Sequence, residues 1–385
     1  MRTLMRSTAM IATGLAAGLL LAQPAAAQRT INVMTAGDQN MVDYVTDFLG
    51  PLFEKDNPGI KVRAVGTGPG DAGSQKIWER LDAQKKANAA QWDVDVAVVH
   101  QKMAGQMVGE GLLDAYRTKV STGGLVTRDT AKNALGTNVD GYVIPMFHSQ
   151  TAIAYNPALV ANPPKSYDEL VQWVTANPKK FGHNGIKGGM SGVAFVFGWI
   201  YAYAPNAQQL MEGPYDAKTK DAWAPALTKL KEFNQKVVIT PGNAGTLDML
   251  NRGEITMGPV WVDMFYTWQA EGRLPPTMRL QILSPGLPGQ PMYYVIPAKA
   301  ANMDAARKFV EFATSPKIQA EGIVKRFNWY PGIDAQHVQS HLDKAVWEKL
   351  FKDVSPQDLS SKGKPMPISQ YFTEILEAYE RVAAN

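Results

Sequence analysis

GYVIPMFHSQTAIAYN, residues 141–156, sets two β-rich runs, YVIP and TAIAYN, on either side of a polar knot, MFHSQ. No Gly, Asn or Asp stands between Pro145 and Asn156, so the residues that tight turns demand are missing. The chain is therefore expected to run extended through the knot. Pro145 suits a strand edge, where no ladder donor is required. Along an extended chain Phe147 and Ser149 share one face, and His148 and Gln150 the other. An irregular strand with a polar bulge is the competing reading.

Upstream of this stretch, strand and helix alternate. RTINVMTAG (29–37) is a β-rich run stopped by Gly37, and Met41, Tyr44, Val45, Phe48, Leu49, Leu52 and Phe53 then recur at helical spacing. IKVRAV (60–65), SQKIWERLDAQKKANAA (74–90) and VDVAVV (94–99) continue as strand, helix and buried strand. Such alternation predicts an α/β fold with largely parallel sheets. Downstream, Ser166 and Glu169 form a capping box. GGMSGVAFVFGWIYAYA (188–204) is a Gly-rich entry to an aromatic segment, and DAWAPALTKLKEFNQKV (221–237) is an amphipathic helix. EITMGPVWVDMFYTWQAEG (254–272) carries a strand into a loop or helix, and residues 290–324 read as strand, turn and helix with a break near Pro316. The tail from Ala345 reads as helices. No repeat or low-complexity tether separates the two α/β units.

Residues 1–27 have the plan of an export signal: Arg2 and Arg6, the apolar run 9–21, and QPAAAQ with a cleavage site at Ala27. Once they are removed, 37 basic residues face 35 acidic ones, a charge of +2. That balance gives no footprint for nucleic acid or an anionic membrane. The chain has no Cys, which excludes thiolate metal sites and thiol nucleophiles.

Several short patterns invite chemistry. GPGDAG (68–73) matches a dinucleotide fingerprint, but Pro69 and export from the NAD pool argue against that use. A Gly-rich loop at a helix N-terminus, open to an anionic or hydroxyl group, and a plain turn both remain readings. GMSG around Ser191 lacks the last Gly of a nucleophile elbow; a loop offering N–H groups or a simple turn is left. His337 and His341 have no accompanying Glu motif, so a solvated helix face is the default. His100 and His148 end strand-like runs, where open α/β sheets place ligand contacts. Of the nine Trp, Trp199, Trp261 and Trp329 stand at strand ends or Gly/Pro-marked loops beside Tyr201, Asp263 and Tyr330. Their faces suit a sugar ring or an alkylammonium.

The order of segments is that of a known family. The export signal, the small-polar loop with Asp38 and Gln39, DNPGIKV (56–62), IPMFHSQTAIAYN (144–156), RGEITMGPVW (252–261) and YYVIPAKAANMDAARKFVEFATSPKIQAEG (293–322) resemble the solute-binding proteins of ABC importers. The similar branch holds the maltodextrin, spermidine/putrescine and thiamine binders. The resemblance implies a type II periplasmic-binding-protein fold: two lobes, each a mainly parallel sheet flanked by helices, with a cleft and hinge between them. It assigns residues 28–147 and 297–328 to the first lobe and 148–296 and 329–385 to the second. GEITMGPVWVD (253–263) is similar to the segment whose Asp pairs with a ligand amine in the polyamine branch, though one residue shorter between Trp261 and Asp263. Helix capping is the alternative use of Asp263.

The resemblance thus implies a periplasmic receptor that binds a small polar solute without cofactor, metal or catalysis and passes it to an ABC permease. A sugar is expected ahead of a polyamine-like cation, and a monomer is expected. An exported polysaccharide hydrolase and a chaperone-like interaction protein are the readings from other classes. Expected contacts are Asp38, Gln39, His100, Phe147, His148, Ser149, Gln150, Ser191, Trp199, Trp261, Asp263, Tyr294, Trp329 and Tyr330. Tyr293 and Tyr294 alternate faces of the return strand, so one of them at most looks into the cleft.

Overall fold

The computed structural model describes residues 28–219 and 222–384; the expected export signal over residues 1–27 lies outside them. Strands β1 (Arg29–Ala36), β2 (Ile60–Gly68) and β3 (Val96–His100) form the parallel part of the first lobe, with β1 in the middle. Residues 144–155 are one continuous strand, β4 (Ile144–Tyr155), so the polar knot is neither a turn nor a break. β5 (Met257–Trp261), β6 (Arg279–Gln281) and β7 (Leu287–Val295) complete the main strands. They belong to a nine-stranded sheet whose main path runs β6-β4-β7-β3-β1-β2, with β5 also paired to β4.

β4 and β7 join the lobes. The first half of β4 pairs antiparallel with β7, which pairs antiparallel with β3. From Thr151 onward β4 instead pairs antiparallel with β5, and at its end also with β6. In the first lobe β1, β2, β3 and β4 therefore point one way and β7 the other. In the second lobe β4 opposes β5 and β6, while the short pair Gly182–His183 and Val238–Ile239 adds a parallel edge beside β5. Each lobe is mainly parallel with one strand against the grain, and both of those strands cross the hinge. The expected lobe boundary at residues 147 and 148 falls inside β4.

Helices cover both faces: α1 (Gly70–Lys86), α2 (Tyr167–Ala176), α3 (Met190–Tyr203), α4 (Asn243–Asn251), α5 (Val262–Ala270), α6 (Met303–Ala313) and α7 (Ser369–Val382). β3 and β7 are accordingly buried along their whole length. Half of the capping box forms as read, the Glu169 N–H donating to Ser166 Oγ at 3.2 Å, while the Glu169 carboxylate accepts at 2.9 Å from the N–H of Lys165, one residue before the cap. α6 ends before Pro316, which opens a new helical segment. Phe53, from the helical residues 39–56, packs on Phe309 and Phe312 of α6 with centroids 5.3 and 5.6 Å apart, so residues distant in sequence close the first lobe.

Candidate functional site

Strand ends and helix starts converge between the lobes. β1 stops at Gly37, whose φ of +112° and 2.6 Å clearance to Met41 Cγ leave no room for a side chain, and the turn presents Asp38. β3 ends at His100. In the second lobe β5 passes directly into α5, placing Trp261 and Asp263 at the junction, and α4 opens with Asn243. β4 and β7 supply the floor.

The cleft holds a cavity of about 60 Å³. Asp38, Asn40, Met41, Gly70 and His100 line it from the first lobe, and Met190, Asn243, Trp261, Asp263 and Met264 from the second. Phe147, Ser149, Gln290, Met292 and Trp329 line it from the crossing segments. The lining holds two carboxylates, one from each lobe, and neither Lys nor Arg.

Asp263 is buried. Burial pushes its carboxyl up to about 6, against the hydrogen bonds it accepts from Ser149, Trp329 and its own N–H; the nearby Asp38 charge raises it further. Burial also raises Asp38, partly offset by the Asn243 amide, which donates across the cleft to Asp38 Oδ2 at 3.2 Å, and by His100. The His100 ring lies 3.0 Å from Ser74 Oγ through Nδ1, and burial depresses its pKa despite the pull of Asp71 and Asp38. The site therefore brings together two acidic groups, Asp263 buried and Asp38 partly exposed, with no Lys or Arg in the lining.

The aromatic groups have distinct tasks. Trp329 is sandwiched between Phe147 (4.2 Å, 11°) and Phe327 (4.9 Å, 14°), so both its faces are covered and its N–H is left to hold Asp263. Such stacks add roughly 0.5–1.5 kcal/mol each beyond area burial. Trp261 stacks on no other ring among the described residues and lines the cleft, though only 7% of it is exposed.

The model of the bacterial extracellular solute-binding proteins matches residues 52–335, more than half of the chain. This protein belongs to that family. No match is found among curated proteins. Its fold is shared with solved structures of low identity. The Atu4243-GABA receptor is 21% identical with a TM-score of 0.66, covering 92% of this chain and 97% of that one. The Tp0655 (TpPotD) lipoprotein of Treponema pallidum gives 12% and 0.67, covering 92% and 100%. Iron-bound HitA of Pseudomonas aeruginosa gives 17% and 0.64, covering 93% and 100%. The solute-binding protein thus has the type II periplasmic-binding-protein fold, and its family places it outside the cytoplasm.

Within this solute-binding protein, Asp38, His100, Phe147, Ser149, Trp261, Asp263 and Trp329 are gathered around the cleft. The remaining expected contacts lie elsewhere. Gln39 is exposed and donates to Asp43 at 2.9 Å, while its neighbours Asn40 and Met41 face the cleft. His148 and Gln150 point to the rear of the hinge, as strand alternation requires once Phe147 and Ser149 face forward. Tyr330, paired with His148, lies on that rear side too. Ser191 is fully buried and donates to Asn243 Oδ1 at 2.7 Å, so it sits behind a lining residue. Trp199 is core: its N–H donates to the Ala226 carbonyl at 2.9 Å within a cluster of Tyr167 and Phe233. Tyr294 has the right parity but lies deeper than Met292, fully buried beneath the cleft, whereas Tyr293 reaches backwards to Thr130.

The sequence reading missed Asn243, Gln290 and the methionines Met41, Met190, Met264 and Met292. Methionine carries no site signature, because its pattern is that of core. Asn243 had a faint one: Gly188, Gly189 and Gly242 all have positive φ, and a Cβ on Gly189 would lie 2.3 Å from the Asn243 amide. Two glycine loops in contact mark a close approach built around one side chain.

Proposed function

We propose that this protein is the periplasmic receptor of an ABC importer for a small organic cation, an ammonium group on an apolar body. The observation that carries this reading is the pairing of Asp38 and Asp263 from opposite lobes in a cleft without Lys or Arg. A sugar, favoured by aromatic content alone, would leave both carboxylates with only hydroxyl donors. An ammonium donates charge-assisted hydrogen bonds to both. The ring of Trp261 and the polarizable thioethers suit its apolar part.

The same arrangement supplies a closing force. Residues 28–147 with 297–328 and residues 148–296 with 329–385 move as the two lobes, with β4 and β7 as the hinge. Without ligand, closure brings the carboxylates toward each other; a cation between them converts repulsion into attraction. Only such differential affinity shifts the hinge equilibrium. The closed form would then be read by the permease.

Isothermal titration of the mature protein against monoamines, diamines, quaternary ammonium compounds and sugars tests the reading. A cation is expected to bind with exclusion of its neutral isostere, and Asp263→Asn is expected to abolish it. Tight binding of a sugar unaffected by that substitution would overturn the cation reading while leaving the receptor role.

A further inference from the structure

The face of β4 turned away from the cleft floors a second recess of about 360 Å³. Gln101, Arg128 and Thr130 border it from the first lobe, His148, Gln150 and Gly289 from the crossing strands, and the segment from Tyr330 to Pro365 from the other side. Its charge is the reverse of the cleft's: Arg128 and Lys364 line it, and no carboxylate does. Arg128 is held by the Pro331 and Ile333 carbonyls at 3.3 and 2.8 Å through Nη2, and by Asp334, 3.7 Å from Nε. Its Nη1 makes no hydrogen bond among the described residues.

Two buried polar atoms of the lining, Tyr330 Oη and His148 Nδ1, also lack a partner among the described residues, as does Thr130 Oγ1. Tyr330 is only 7% exposed, and burial without a partner is costly for a hydroxyl or ring nitrogen. Tyr330 stacks on Phe351, with Trp347 and Leu359 beside it, which makes the opposite wall apolar. Gly289 keeps the floor clear: a Cβ there would stand 2.6 Å from Gln150 Oε1 and 3.1 Å from His148 Nε2.

We propose that this recess is a second ligand site, which takes a small organic carboxylate with an apolar body. The carboxylate sits against Arg128 and Lys364 with His148 and Tyr330 as donors, and the apolar body lies on Phe351 and Trp347. The site does not depend on the cleft ligand, since it uses other residues and the opposite charge. Because β4 floors both spaces, its occupant touches the hinge itself.

The test is ¹⁹F NMR of the mature protein with 4-fluorobenzoate and its neutral isostere 4-fluorobenzamide. The benzoate is expected to bind, the benzamide to bind roughly tenfold more weakly, and Lys364→Met to weaken the benzoate by a similar factor, as loss of a charge-assisted contact implies. Asp263→Asn is expected to leave benzoate binding unchanged. Equal binding of the two probes, no binding of either, or loss of benzoate binding in Asp263→Asn but not in Lys364→Met would each overturn the assignment. Those outcomes leave the amine titration of the cleft untouched.

Discussion

Replacing Asp263 by Asn is expected to stabilise the ligand-free protein while it destroys the cleft. In an unfolded chain the carboxyl ionises near the ordinary aspartate value of about 4; in the folded protein burial moves it to about 6. Two pH units at about 1.4 kcal/mol each mean that holding this group ionised costs ~3 kcal/mol of folding free energy near neutrality. An Asn keeps the acceptor for Ser149 and Trp329 and carries no charge to desolvate. The favourable place of the carboxylate at the start of α5 is already contained in that folded-state value, so the net gain is ~3 kcal/mol.

The sign fixes the pH dependence. Because the folded-state value lies above the unfolded one, the native protein binds the extra proton between about pH 4 and about pH 6. The wild type therefore gains stability from this group as pH falls through that window, and the Asn variant does not. Urea unfolding of protein stripped of ligand, at about pH 7.5 and about pH 4.5, should show the variant ahead by ~3 kcal/mol at the higher pH and by only ~1 kcal/mol at the lower. Stripping matters, since any retained cation adds stability to the wild type alone. A variant no more stable than wild type at the higher pH, or a gap equal at both, would refute the picture of Asp263 as a strained buried anion.

Three further outcomes follow from the same geometry. Affinity for the cation should fall about tenfold per pH unit below pH 6, as Asp263 takes up a proton and ceases to attract it; titrations between pH 7.5 and 5 read this directly. Trp261→Leu keeps apolar bulk and removes the ring face, so affinity should drop roughly 5–30-fold, the worth of a desolvated cation–π contact, with hydrogen–deuterium exchange of the lobes unchanged. Asn243→Ala removes the amide that reaches Asp38 across the cleft, and small-angle scattering of the ligand-free variant should show a larger radius of gyration than wild type as the open form gains population.

How much of this was legible beforehand divides along a physical line. Local signals carried well: the missing turn residues in 141–156, the helix cap at Ser166 and the strand-to-helix passage at Trp261 each depend on near neighbours, and each appears where it was read. Alternation along β4 even framed the right question, whether Phe147 and Ser149 or His148 and Gln150 look forward. What alternation alone does not reveal is depth. Tyr294 shares a face with Gln290 and Met292 yet stands in the core, because the β4–β7 ladder shifts register after Met292 and the strand has by then left the cleft. Trp199 and Trp329 looked alike as aromatics near loops; only packing made one core and gave the other a carboxylate to hold.

Charge was the greater loss. A balance of +2 over residues 28–385 says nothing of two like charges brought together from positions 38 and 263, because their proximity is made by two lobes whose connection is a pair of crossing strands. That is also why we propose a cation where aromatic content favoured a sugar. Aromatic content is a property of composition and survives in a sequence, whereas a carboxylate pair is a property of closure. If closure is what creates the site, then holding the lobes open should leave each carboxylate individually ordinary. A bulky substitution at the contact between the lobes, Asn243→Trp, would collide with Asp38, which the present amide reaches across the cleft at 3.2 Å. NMR titration of selectively labelled aspartates in that variant should return Asp263 toward the usual aspartate range, and a value still near 6 would mean that burial within the second lobe alone, without closure, sets it.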